Sequence, residues 1–448
     1  MSVQIFREAL CREINVPDIA LDTPFAHLDV DAAVVFAVLA QVEESTGITF
    51  PASLFRDCTC LADLEKRLST SALSIREAAR ESSQLVKDFA AAAGTTDYWP
   101  SVASDQHRLV IAYIWEALKQ LGCPLDIMPA GSKVVPPTVQ PSHQQLLDTL
   151  FEILIQEGLI ERVNSDHLVR TKVPLPSSSA AILHERILLD HPRHANTHRL
   201  LHLTAPRLAD CLVGNADPIR LLFGSPVGRD LLQDFYTRAP MSMAASQQLA
   251  ALFQRVFEPL KQSTSDPIEI LEVGAGFGGT TGFILDALVA AGVPFRYTFT
   301  DVSASFFKTA RQHYRTSDMP VSFEVLDIET VAGPPSHLQG RFHAVLSTNC
   351  LHATRDLAVS AANARRLLRP DVPGAFLALI EFTERIFWLD LVFGLLDGWW
   401  RFTDGRRHCV AGEGFWKQSL VKAGFGQVVF TEGNVEGKKP NPEVIVAW

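Results

Sequence analysis

Apolar and polar positions along the chain follow two different rhythms that meet near Pro267. Before that point the spacing is helical. Ile5, Leu10, Ile14 and Val16 fall on one face of an N-terminal helix, and further helices are expected over 31–42 and 61–68. Two stronger patterns cover Leu109–Leu121 and His143–Gly158. The second stops at a glycine and runs into a short strand-like segment, which is the order of a winged helix. Helical spacing continues from 180 to 260, punctuated by Gly224, Pro226, Gly228 and Pro240. After Pro267, short β runs alternate with helices. The candidate strands are Ile268–Val273, Tyr297–Asp301, Val321–Leu326, Phe342–Thr348 and Phe376–Glu381, with Val444–Trp448 as a final one. Such alternation predicts an α/β fold with a mostly parallel, doubly wound sheet.

A chain of 448 residues exceeds one ordinary hydrophobic core. The expected division is a small helical bundle over 1–70, a Ser/Ala-rich and partly helical linker over 71–100, a helical, winged-helix-like lid over 101–260, and the α/β core over 261–448.

The first core strand ends in Glu272-Val-Gly274-Ala-Gly276-Phe-Gly278-Gly279 and a helix is expected over Thr280–Ala291. Glycines there let the backbone turn sharply and let a ligand approach the main chain. The spacing departs from the dinucleotide pattern G-x-G-x-x-G, and no P-loop lysine follows, so phosphate binding is disfavoured. Asp301 ends the next strand, where an acid can hydrogen-bond a ribose diol. Asp327 ends the third, where a carboxylate can take an adenine amino group and Ile328 can pack on the ring. Strand carboxyl ends share one rim of an open α/β sheet, so these groups converge. An acidic rim suits a sulfonium cation better than a pyrophosphate. The expected cofactor is S-adenosylmethionine, leaving as S-adenosylhomocysteine, with Glu272, Gly274, Gly276, Asp301, Asp327 and Ile328 as its contacts.

Composition narrows the remaining classes. A net charge of −10 argues against a general nucleic-acid binder. No apolar stretch reaches the length of a membrane span, and the first residues lack a signal-peptide core. The 7 cysteines are scattered without paired spacing, so no metal site is expected and a cytosolic location is.

Several separated blocks carry a family resemblance. Leu271-Glu-Val-Gly-Ala-Gly-Phe-Gly-Gly-Thr-Thr281, Tyr297-Thr-Phe-Thr-Asp-Val-Ser303 and Asn349-Cys-Leu-His-Ala-Thr354 are three of them. Leu391-Val-Phe-Gly-Leu-Leu-Asp-Gly-Trp-Trp400, Gly414-Phe-Trp416 and Ala423-Gly-Phe425 are the others. Together they resemble the C-methyltransferase domain of fungal polyketide synthases over roughly 100–448. Asp234-Phe-Tyr-Thr-Arg-Ala-Pro240 is similar to the lid of the non-reducing subclass. The resemblance implies a class I, Rossmann-like methyltransferase fold with an N-terminal helical lid.

Methylating carbon requires removing a proton. Between two carbonyls that proton is acidic enough for a histidine of ordinary pKa. His352 lies just beyond one predicted strand and Glu381 closes the next, so both fall on the cofactor rim. The resemblance implies that His352 and Glu381 are the catalytic dyad. The family has a tight Pro-Gly-Gly turn before the Glu strand, which Pro370-Asp-Val-Pro-Gly-Ala375 lengthens here. The resemblance also places Tyr236 over the cofactor or substrate; a packed lid tyrosine reads equally well. Asn349 is a candidate neighbour of the methionine end. Trp399 and Trp400 either line an acyl cavity or fill a core.

The segments Leu21-Asp-Thr-Pro-Phe25, Leu28-Asp-Val-Asp-Ala-Ala33 and Phe50-Pro-Ala-Ser-Leu-Phe55 resemble an acyl carrier protein. The carrier motif is Asp-Ser-Leu, whose serine bears phosphopantetheine; Asp31, Ala32 and Ala33 stand there. Alanine has no hydroxyl to esterify, so this unit reads as a pseudo-carrier. The implied partners are a separate carrier domain bearing a phosphopantetheine-tethered polyketide, and other polyketide synthase domains. The expected reaction is methylation of the α-carbon of a β-ketoacyl thioester. An O-methyltransferase acting on a phenol, and a non-catalytic scaffold, remain open. The carrier-like start, with no condensing or acyltransferase motif, suggests a piece excised from a megasynthase.

Overall fold

Burial explains the sheet. The computed structural model describes residues 3–448 apart from 47–49, 51, 57, 165–166, 261–265, 316–318, 371, 373 and 436. In the first half, β1 (Lys133–Val134), β2 (Ile160–Asn164) and β3 (His167–Arg170) form a small antiparallel sheet ordered β1-β3-β2. In the second half come β4 (Ile268–Val273), β5 (Phe295–Asp301), β6 (Val321–Val325), β7 (Ala344–Thr348), β8 (Phe376–Glu381), β9 (Val428–Phe430) and β10 (Glu443–Ala447). Strands β4, β7, β8 and β10 are buried almost throughout, because apolar clusters cover both faces of the sheet.

The order is β6-β5-β4-β7-β8-β10-β9, parallel except for β10, which runs antiparallel to both neighbours. The order reverses between β4 and β7, and there the crevice opens at the carboxyl ends of the strands. Asp356 caps the following helix, Leu357–Leu367, by accepting the N–H groups of Ala358 (2.8 Å) and Val359 (3.1 Å).

The expected strands are present with shifted ends. β6 stops at Val325, so Asp327 lies 2 residues beyond the strand rather than at its end. β7 begins at Ala344, not Phe342, and β9 was not foreseen. Of the lengthened turn before β8, Asp371 and Pro373 lie outside the described residues.

Helices Ala103–Gln120 and Gln144–Gln156, with the β2–β3 hairpin as a wing, build the lid. Their apolar faces share one core with the segment Phe382–Leu395 that follows β8. The lid is therefore packed onto the site side of the sheet. The segment expected as a linker is helical over Leu61–Gln84 and Val86–Ala93. Ile75, Ala78 and Ala79 bury themselves against helix Pro240–Phe257 and the sheet, so this stretch is part of the core rather than a tether. The N-terminal bundle keeps its own small core around Phe6, Leu10, Val38, Leu54 and Leu61. Among the described residues no helix is long and apolar enough to cross a membrane, and no His/Cys/Asp/Glu group could hold a metal.

Candidate active site

The glycine turn is shaped by what surrounds it. Gly274, Gly276 and Gly278 all take positive φ (66°, 53° and 72°), a region side chains rarely adopt. A Cβ on Gly274 would lie 2.2 Å from the Cys350 sulfur, so the turn and the loop after β7 touch through that hydrogen. At Gly276 the nearest atom to a Cβ is 3.9 Å away, leaving open space for a ligand.

Asp301 is 6% exposed, and its carboxylate accepts the N–H groups of Gly276 (3.0 Å) and Ser303 (2.8 Å). Burial raises its pKa, against these two bonds. The Gly276 amide is thereby unavailable to a phosphate. Asp327 is exposed and accepts from Glu329 N–H at 2.9 Å, with Ile328 buried beside it. The chain continues toward the rim, since Leu326 N–H bonds the Asp301 carbonyl at 3.1 Å.

Asn349 takes φ 47°, and its Oδ1 is buried without a hydrogen-bond partner. A strained, unsatisfied carbonyl in a crevice calls for a donor from outside the protein. Asn349, Asp301 and Asp327 supply acceptors, and none of the three is a cation. That set fits a ligand rich in donors and carrying positive charge, as S-adenosylmethionine is.

Glu272 differs from expectation. It is 1% exposed and accepts hydrogen bonds from Thr281 and from Tyr297 (2.6 Å). Alternation along β4 turns its side chain with Ile270 toward helix Gly279–Ala290 rather than toward the open rim. Burial pushes its pKa up to about 7. Glu272 thus braces the floor of the turn.

His352 and Glu381 meet as expected. Glu381 is fully buried; its Oε2 lies 2.6 Å from His352 Nδ1, and its Oε1 accepts the His352 backbone N–H at 3.3 Å. A carboxylate at Nδ1 keeps the proton there and leaves Nε2 with a free lone pair. The His352 carbonyl is held from behind by Arg406 Nη1 (2.8 Å) and the Cys409 thiol (3.3 Å).

Tyr236 stacks on Phe277 of the glycine turn, with centroids 6.3 Å apart, and packs against Phe393. Burial raises its pKa, and the nearby Cys350, Cys409 and Glu381 raise it further. It therefore links Phe277 of the cofactor turn to Phe393, which stacks on Trp399 beside His352. Trp399 stands edge-on to His352 at 5.6 Å. Sequence reasoning missed Phe277, Cys350 and the buried acid Asp390, although Asp390 is the one charged residue in the apolar run Ile386–Leu395.

Three family profiles match: "Phosphopantetheine attachment site" over 4–68, "Methyltransferase, Helix-turn-helix domain" over 80–167 and "Methyltransferase domain" over 271–373. The polyketide methyltransferase ustM of Ustilaginoidea virens is 41% identical over 450 residues, covering 99% of each chain. The chain belongs to the polyketide methyltransferase family. This family member is also 45% identical to the non-reducing polyketide synthase pkbA of Emericella nidulans, over 76% of its own length and 13% of that synthase. The citrinin polyketide synthase CMeT domain superposes with a TM-score of 0.77 at 36% identity, covering 84% of this chain and 96% of that one. The CurJ carbon methyltransferase follows with a TM-score of 0.68 at 28% identity, covering 82% and 98%. The polyketide methyltransferase described here uses S-adenosylmethionine as cofactor and acts in polyketide synthesis.

Proposed function

We propose that this enzyme methylates the α-carbon of a β-ketoacyl thioester presented on the phosphopantetheine arm of a separate acyl carrier domain. The observation that carries the reading is the 2.6 Å contact between His352 Nδ1 and the buried Glu381 carboxylate. It orients an imidazole whose Nε2 is free to accept a proton. A proton between a ketone and a thioester is acidic enough for that base. The proton moves to Nε2, and Glu381 balances the imidazolium as the enolate forms. S-adenosylmethionine, when bound, would supply the electrophile, a sulfonium methyl: the α-carbon's electron pair would form the C–CH3 bond as the S–CH3 bond breaks, and S-adenosylhomocysteine would leave. His352 then returns its proton to solvent.

In this reading Gly274 and Gly276 admit the cofactor to the main chain. Asp301 takes the ribose hydroxyls, Asp327 the adenine amino group, Ile328 the ring, and Asn349 the methionine end. Tyr236 closes the crevice from the lid. The units follow as a carrier-like bundle (1–70), a connecting helical segment (71–100), the lid (101–260) and the methyltransferase core (261–448). The bundle has Ala32 at the attachment position, at the exposed start of helix Ala32–Thr46, so it offers no oxygen for a phosphodiester. The substrate must come on another carrier, within a set of polyketide synthase domains.

The test is methyl transfer from S-adenosylmethionine to an acetoacetyl thioester, with the new methyl located by NMR. Methyl on the α-carbon is expected; methyl on oxygen would sink the assignment. His352→Ala should lower the rate by about 10³-fold, the scale of a lost general base, while cofactor affinity stays within a few-fold. Full activity in that variant would remove His352 as the base.

A further inference from the structure

A second buried acid lies behind the dyad. Asp390, on the segment after β8, is 0% exposed and collects three donors. These are Trp399 Nε1 at 3.1 Å and His408 Nε2 at 2.7 Å on one oxygen, and Arg385 Nη2 at 3.1 Å on the other. His408 Nδ1 in turn accepts the Val410 N–H at 3.0 Å, so both ring nitrogens of that histidine are engaged. Burial pushes the Asp390 carboxyl up, but His408 and Arg385 outweigh it and hold the pKa below the usual carboxylate range.

The indole held by this clasp sits between two imidazoles. Its centroid is 5.6 Å from His352 at 75° and 5.8 Å from His408 at 86°, and its ring stacks on Phe393 at 25°. Phe393 also packs on Tyr236. One acid thus fixes the ring that stands edge-on against His352. Stability alone does not call for such a cluster: a buried ion pair is often replaceable by apolar side chains at no loss. What the cluster supplies and apolar packing does not is a single orientation for Trp399.

We propose that Asp390 is a positioning residue of the methyl-transfer reaction: through the Trp399 indole N–H it fixes the wall against which the His352 imidazole is held. This rests on His352 being the base, as argued above. His352 has hydrogen bonds at Nδ1 and at its backbone, and Trp399 supplies a contact to the ring itself. A loose indole lets the imidazole swing, so that Nε2 spends less time aligned with the α-proton.

The test uses the full chain with S-adenosylmethionine and an acetoacetyl thioester, both saturating. Asp390→Leu, which removes the acceptor at nearly the same size, and Trp399→Phe, which removes the indole N–H and leaves a smaller aromatic ring, should each lower kcat about tenfold. The KM for cofactor should stay within twofold. Asp390→Leu also lowers the melting temperature, because Arg385 and His408 lose their partner. The double variant should be no slower than the worse single, because both act through the one Asp390–Trp399 hydrogen bond. Wild-type kcat in folded Asp390→Leu, or losses that multiply to about a hundredfold in the double, would overturn the proposal. If Asp390→Leu does not fold, Trp399→Phe decides; wild-type kcat there overturns the role. His352→Ala separates the two levels. If it stays fully active, the base assignment and the positioning role both fall. If it is inactive while Asp390→Leu and Trp399→Phe run at wild-type kcat, only the positioning role falls.

Discussion

The cofactor rim and the N-terminal bundle have met opposite fates. Both keep a packed core: the bundle buries Phe6, Leu10, Val38 and Leu61 almost completely, and the sheet buries β4, β7 and β8. The rim also carries the buried His352–Glu381 contact and a strained Asn349 whose carbonyl has no partner. The bundle keeps Asp31, whose Oδ1 accepts the Val34 N–H at 2.9 Å, but has Ala32 where a hydroxyl is required. A fold is held by many apolar contacts, whereas a covalent attachment depends on one oxygen. The two properties can therefore part company.

The contrast can be broken at three points. The largest effect is expected at the rim. Gly274→Ala places a methyl 2.2 Å from the Cys350 sulfur at φ +66°, so the turn must shift. A loss of about 2–4 kcal/mol in stability is expected, with cofactor binding weakened in parallel by calorimetry. An unchanged melting curve would show that the loop after β7 yields easily.

The next concerns Glu272. Burial raises its pKa to about 7, from 4.5. The folded state therefore holds a proton that the unfolded chain releases, so stability contributed by this group falls as pH rises from about 4.5 to about 7 and is level above that. Glu272→Gln should reduce the difference in unfolding free energy between pH 5 and pH 8 by about 3 kcal/mol in denaturant titrations. An unchanged difference would mean that Glu272 is ionised in the folded protein.

The smallest effect belongs to the bundle. Ala32→Ser should leave methyl transfer within about twofold of wild type, because proton removal and cofactor contact lie elsewhere. Wild-type protein incubated with coenzyme A and a phosphopantetheinyl transferase should gain no phosphopantetheine mass. A gain would show attachment at another hydroxyl and undo the pseudo-carrier reading.

Much of the rim was legible before the structure. The strand pattern put Asp301, His352 and Glu381 at carboxyl ends on one side of the sheet, and all three are there. Glu272 was misjudged although its alternation with Ile270 carried the answer, since period-2 spacing sends both toward the helix behind the turn. Asp390 was not legible as a hub. Its partners Trp399 and His408 lie 9 and 18 residues away through short 3₁₀ turns and loops, where no periodicity sets direction. Helices over Leu61–Gln84 and Val86–Ala93 suit a composition rich in alanine, the strongest helix former; what composition does not carry is their packing against helix Pro240–Phe257.

Gly279 closes the glycine turn, and a Cβ there would fall 2.3 Å from the carbonyl oxygen of Tyr236. At this point the cofactor turn and the lid meet main chain to main chain, beside the Tyr236–Phe277 stack. Substitutions elsewhere on either surface leave such a joint untouched, because no side chain makes it. The outer residues of the lid can therefore vary without altering this contact with the glycine turn. One position, 279, holds a veto over that freedom, and only the smallest residue leaves it open.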